Sequence, residues 1–240
     1  MLKLKIISII ILLLSTHSCI SKIGKQDNIS HYDSISTKSS TNSDSIATIT
    51  IGEQEWLLEE VSQTFFQNGD SITVYDAGEW NSHRNDTIPI AYKLTKVSKN
   101  GNVTNSYYYN WFAASDSRQI PPDGFSVPTI IDYKILIKNI KEQYGTLQVL
   151  WDSTYQTPNN IHILNLHTNA YIISEIMKHK DVCGFWTRSS KYDYGVYATF
   201  AYSSADIPED ETEAGTYFLD MWKSVAMPIM GVRYITSQEK

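Results

Sequence analysis

A cysteine at position 19, behind a short apolar run, is placed for lipid modification. Lys3 and Lys5 give a basic start, and Ile6 to Leu14 is an apolar run of nine residues broken only by Ser8. Ser15-Thr16-His17-Ser18 is a small polar exit. A membrane-spanning helix needs about 20 apolar residues, so this run is too short to be one. A basic start, a short apolar middle and a small-residue exit describe an export leader that is cut away. In a bacterial lipoprotein leader the cut falls before a cysteine whose thiol has already taken a diacylglyceryl group. Ser18-Cys19 meets that pattern, with Thr16 where leucine is usual. Residues 1–18 are therefore expected to be a signal peptide and Cys19 the acylated first residue. Each buried acyl methylene contributes about 0.8 kcal/mol of membrane affinity, so three chains make a lasting anchor. Ile20, not aspartate, follows the cysteine, which points to the outer membrane, facing the periplasm or the cell surface.

Other reactive residue types are sparse. The run from Asp206 to Glu213 is a dense acidic loop. Asp206, Glu209, Asp210 and Glu211 could supply hard oxygen ligands to calcium, though acidic loops are more often simply solvated. No other cofactor is expected. His162 and His167 are five apart, which suits neither one face of a strand nor the four-residue helical spacing of a zinc pair. Cys183 is the one other cysteine, so with Cys19 acylated no internal disulfide can form. No sequence signal gives Cys183 a base, and a buried structural thiol is its expected role. There is no Gly-x-Ser-x-Gly elbow, phosphate loop or dinucleotide fingerprint.

These residues need a scaffold. Removing the leader leaves 18 Lys+Arg against 26 Asp+Glu, a net charge of −8. That balance disfavours nucleic acid, which needs clustered cations to neutralise phosphates. Residues 20–47 contain eight serines and no apolar periodicity, and so cannot bury enough to fold. With Cys19 they form a flexible tether over 19–47, with a root-mean-square span of roughly 30 Å. Residues 48–237 are expected to form one folded domain.

Within that domain, Thr48 to Ile51 alternates as a strand, and Gly52-Glu53 turns the chain into Trp56-Leu57-Leu58. Asn68-Gly69-Asp70 is a turn. Ala91 to Val97 alternates again, and Asn100-Gly101-Asn102 leads into Val103 and the aromatic run to Phe112, a hairpin. Pro128-Thr129 opens a helix, with Asp132 at the capping-box position. Tyr133, Leu136, Ile137 and Ile140 form its apolar face, and Gly145 ends it. A second helix is expected over 169–179. Strands return with Val196, Ala198, Phe200 and Tyr202 on one face, then Tyr217 to Trp222, then Val232 to Ile235. Trp111 and Trp186 are expected in strand-like blocks as core, and Arg233 as a strand residue paired with a carboxylate. The order is α+β.

Five blocks then resemble a known family. They are Ile51-Gly52-Glu53-Gln54-Glu55-Trp56, Tyr109-Asn110-Trp111-Phe112-Ala113, the stretch from Ile120 to Thr129, Gly184-Phe185-Trp186-Thr187-Arg188-Ser189, and Gly231-Val232-Arg233. In this order they resemble the Fibrobacter succinogenes major paralogous (FISUMP) domain, found widely in lipoproteins and surface proteins of Bacteroidota. Tyr234 stands where that family often has cysteine, and its glycine-rich stretch is not recognisable between Thr146 and Val182. The resemblance implies a C-type-lectin-like fold: twisted antiparallel sheets, two helices and long loops. Calcium-dependent lectins of that fold carry Glu-Pro-Asn or Gln-Pro-Asp followed by Trp-Asn-Asp, and none occurs here. Its formylglycine-generating enzymes use paired cysteines, and one is available. The expectation is a membrane-anchored, non-enzymatic domain that binds a protein or a glycan. A structural subunit of a surface assembly and an envelope enzyme with an unrecognised loop site are the alternatives.

Overall fold

The computed structural model describes residues 46–83, 85–98, 100–151, 163–164, 166, 182–201 and 216–235. The strands are β1 (Thr48–Ile51), β2 (Gln54–Leu57), β3 (Thr73–Tyr75), β4 (Ile90–Val97), β5 (Val103–Tyr109), β6 (Val182–Lys191), β7 (Tyr194–Ala201), β8 (Thr216–Trp222) and β9 (Val232–Tyr234). The helices are α1 (Ala77–His83), α2 (Trp111–Ala114) and α3 (Ile130–Tyr144). The strands form three small sheets, ordered β1-β2-β9, β3-β4-β5 and β6-β7-β8, and the α+β expectation holds.

The helix after Pro128 forms as its sequence dictates. Thr129 is the N-cap, and its hydroxyl accepts from the Asp132 backbone N–H. The Asp132 carboxylate in turn accepts from the Thr129 backbone N–H at 2.7 Å. Gly145 closes the helix in the left-handed region, at φ 71°, where side chains other than glycine are disfavoured. Asp132 also accepts a hydrogen bond from the Tyr234 hydroxyl at 2.7 Å, tying the helix start to β9. Asp132→Ala is expected to lower stability by about 2 kcal/mol, the loss of a cap plus one partly buried hydrogen bond. A lower urea midpoint at unchanged slope would show it; an unchanged midpoint would mean the cap is dispensable.

Both hairpins before α2 also form. Gly52 turns β1 into β2 at φ 64°, and β4 pairs antiparallel with β5 from Ala91↔Tyr109 to Val97↔Val103. Asn68-Gly69-Asp70 makes its turn, with the Phe66 N–H donating to the Asp70 carbonyl at 2.8 Å.

Three expectations need correction. The sheets are not all antiparallel, because β3 runs parallel to β4. Helix α1 was not expected: at seven residues it is too short to show a period, and Trp80 is buried from it. The Asp76 carboxylate starts it by accepting from Gly78 and Glu79 backbone N–H groups. Trp111 opens a short helix, capped by Asn110, instead of continuing a strand. The expected second helix at 169–179 lies outside the described residues.

The core lies on both sides of the β6-β7-β8 sheet. Phe185, Ala198 and Phe200 pack with Trp56, Tyr133 and Leu136 on the α3 side. Trp186 and Tyr197 pack with Tyr109, Ala113 and Met227 on the other. Trp186 is thus core as expected. Val196, Ala198 and Phe200 face inward, but Tyr197 and Thr199 are buried too, because β7 is the central strand. Tyr202 lies outside the described residues.

Candidate functional site

The five sequence blocks meet in space and hold one another. Gln54, fully buried, donates to the Asp132 carbonyl at 3.1 Å and accepts from Trp56 Nε1 at 3.3 Å. Arg233 pairs with Glu55 across β2 and β9, as its expected carboxylate partner, and its guanidinium lies 5.0 Å from the Phe125 ring centre. Trp111 Nε1 donates to the Ser189 carbonyl at 2.9 Å. Trp186 Nε1 donates to the Tyr109 carbonyl at 2.9 Å. The Arg188 N–H reaches the Pro128 carbonyl, and the Ile130 N–H reaches Ser189 Oγ. The side chains that carry the resemblance are therefore occupied in building the framework. A ligand site has to be sought beside them.

Cys183 is fully buried between Phe185 and Phe200, and burial pushes its thiol well above the usual range. A thiol held protonated is a poor nucleophile. Burial likewise pushes the Tyr197 phenol up to about 12. Among the described residues, no three His, Cys, Asp or Glu side chains converge as a metal site. Cys19, His162, His167, and the acidic candidates Asp206, Glu209, Asp210 and Glu211 lie outside the described residues. A groove of about 320 Å³ runs beside Ile46, Ala47, Leu57, Glu59, Glu60 and Pro122. Its lining combines an apolar wall with the polar side chains of Glu59, Glu60, Ser62 and Gln63.

The residues best placed to meet a ligand are aromatic. β6 and β7 join through the two-residue turn Tyr192-Asp193, with Lys191 opposite Tyr194. β8 returns alongside, so Trp222 lies opposite Tyr194. Register puts Lys191, Tyr194 and Trp222 on one face at one level, because side chains alternate with a period of two. The Tyr194 and Trp222 ring centres are 4.8 Å apart. Trp222 is 62% exposed and Tyr192 86%. Lys191 Nζ reaches Asp220 Oδ2 at 3.3 Å beside the rings. Tyr194 and Trp222, their ring planes 54° apart, make a tilted aromatic pair with a charged pair at its rim, and Tyr192 stands in the adjoining turn.

The aromatic pair is rigidly mounted. The β6–β7 register shifts between Trp186 and Ser190, where Thr187, Arg188 and Ser189 stand opposite Val196 alone, a bulge of two extra residues on β6. Thr187 Oγ1 spans the bulge, donating to the Val196 carbonyl and accepting from the Ser189 N–H. Trp111 packs beneath, against Gly195 of β7. Its backbone N–H donates to the Lys223 carbonyl, and Lys223 Nζ lies 4.4 Å from the Trp111 ring centre.

Sequence reading missed this aromatic pair and its turn. The clue was local: Lys191-Tyr192-Asp193-Tyr194 puts aromatics where a tight turn favours Gly or Asn. Tyr192 indeed sits at φ 54°, in the left-handed region.

Comparison with known proteins gives one relation. No curated protein and no solved structure matches the chain. The family model described as the Fibrobacter succinogenes major domain matches residues 49–213. That span runs from β1 past β7, takes in four of the five interlocking blocks and covers well over half of the chain. The chain therefore belongs to the Fibrobacter succinogenes major domain family.

Proposed function

We propose that this chain is a lipid-anchored, non-enzymatic binding domain of a bacterial outer membrane, with a C-type-lectin-like arrangement. The leader and Cys19 support the anchor, and residues 20–47 supply the tether. Small, mostly antiparallel sheets, helices and long irregular segments such as 58–72 support the fold reading. One observation carries the binding role: the family blocks are committed to the framework, while Tyr192 and Trp222 stand exposed on a rigid mount beside it. Large exposed aromatics on a rigid element suit recognition, since they give broad contact area at low entropic cost.

The test is a pull-down from cell envelopes with the acylated protein, its Cys19→Ala variant and its Trp222→Ala variant. The parent is expected in the membrane fraction holding a discrete ligand. Cys19→Ala is expected in the soluble fraction, and Trp222→Ala on the membrane without the ligand. A purified parent that turns over a substrate and captures nothing would sink the reading.

A subunit role in a surface assembly is the second reading. The outer half of the β4–β5 ribbon favours it, because Val97 and Val103 pair across its tip and are both exposed. Isolated two-stranded ribbons are marginal in water, and such an end gains from a partner.

A further inference from the structure

We propose that the exposed Trp222 ring, with Tyr194 beside it and Tyr192 in the adjoining turn, binds the apolar face of a neutral pyranose sugar within a glycan. This names the ligand class for the binding function above and rests on that reading.

Size is the first argument. At about 150–250 Å² per aromatic side chain, the exposed parts of Tyr192 and Trp222 offer roughly 220–370 Å² even taken together. A stable protein partner needs about 800 Å² on each side. That area fits one or two sugar rings better than a folded protein.

Chemistry is the second. A pyranose ring has a face of C–H groups and a rim of hydroxyls. The C–H face can stack on the exposed ring of Trp222, with the Tyr194 ring beside it inclined by 54°. The rim matches Lys191 and Asp220, a donor and an acceptor 3.3 Å apart, both partly exposed. Their charges cancel, so the rim recognises hydroxyls without selecting an anion. The net charge of −8 left once the leader is removed further disfavours acidic polysaccharides.

The turn is the third. Glycine or asparagine would adopt φ 54° at position 192 more easily than tyrosine. Tyrosine there serves its exposed ring and not the turn. Strain of this kind collects where a side chain is needed for function.

The test uses the full chain in detergent on an array of neutral, acidic and amino glycans. Titration calorimetry follows with the best-bound neutral oligosaccharide, with and without EDTA. Trp222→Ala and Tyr192→Gly are compared with the parent, and thermal melting checks that each folds. Neutral glycans are expected to bind. Each variant should bind about tenfold more weakly, equivalent to about 1.4 kcal/mol. Tyr192→Gly is expected to melt no lower than the parent, and EDTA to change nothing. Binding that survives both substitutions, is confined to acidic glycans, or vanishes with EDTA would overturn the sugar assignment. An envelope protein captured through Trp222, with no glycan bound, would also overturn it while leaving the binding function standing. No ligand of either kind would sink both.

Discussion

Gly195→Ala is expected to lower the melting temperature by about 6–12 °C, from a loss of about 3 kcal/mol. A Cβ at position 195 would lie 2.6 Å from Trp111 Cγ and 2.9 Å from Trp186 Cζ3, far inside contact distance. Neither ring can step aside freely. Trp111 is held by its bond to the Ser189 carbonyl, and Trp186 by bonds to the Tyr109 and Val225 carbonyls. Two rings fixed by backbone acceptors turn one methyl group into overpacking. The cause can be isolated by combining Gly195→Ala with Trp111→Leu, which makes room for the methyl. The double variant should be about 1–2 kcal/mol more stable than the sum of the singles predicts. Additive losses by urea denaturation would mean that the ring contact is not the cause. Because Trp111 also buttresses the β6–β7 tip, Gly195→Ala should weaken ligand capture as well.

Gln54→Leu is expected to destabilise the domain by about 2–3 kcal/mol, although leucine is close to glutamine in volume. The loss would come from polar groups and not from a cavity. Gln54 is fully buried and joins three elements: it donates to the Asp132 carbonyl in α3 and the Tyr234 hydroxyl in β9, and accepts from Trp56 in β2. Leucine would leave the buried Trp56 N–H without its acceptor, a penalty of about 1–3 kcal/mol. Tyr234→Phe should cost less, and its effect should shrink in the Gln54→Leu background, because the two share one network. A Gln54→Leu protein with an unchanged urea midpoint would remove Gln54 from the framework.

The sequence was most legible where structure is local. Helix α3 carries its own start and stop in Thr129, Asp132 and Gly145, and its apolar face repeats within the segment. The Gly52 and Asn68-Gly69 turns and the β4–β5 hairpin are decided within a few residues, by glycines that tolerate positive φ. Arg233 could be assigned a carboxylate because a buried or strand-bound guanidinium needs one, but not Glu55, which is 178 residues away. The family blocks were visible as residue types, while their roles were not. Nothing within Gln54 or Trp111 says which distant carbonyl it will meet.

The missed elements share that cause. α1 is too short for a helical period and is held by one buried tryptophan, Trp80. The parallel β3–β4 pair depends on tertiary placement, since β3 is three residues long. The aromatic pair needs Tyr194 beside Trp222, 28 residues apart, and a bulge to set the register of the β6 tip.

By itself, then, the sequence determined the α+β class, the first long helix with its caps, the tight turns and the family. Those follow from local backbone preference and from residue types in order. Only the tertiary structure decided that the signature residues hold the framework together and that Tyr194 and an exposed Trp222 meet at one end of a sheet. Both depend on strand register and long-range packing, where contacts form between residues that no local period connects.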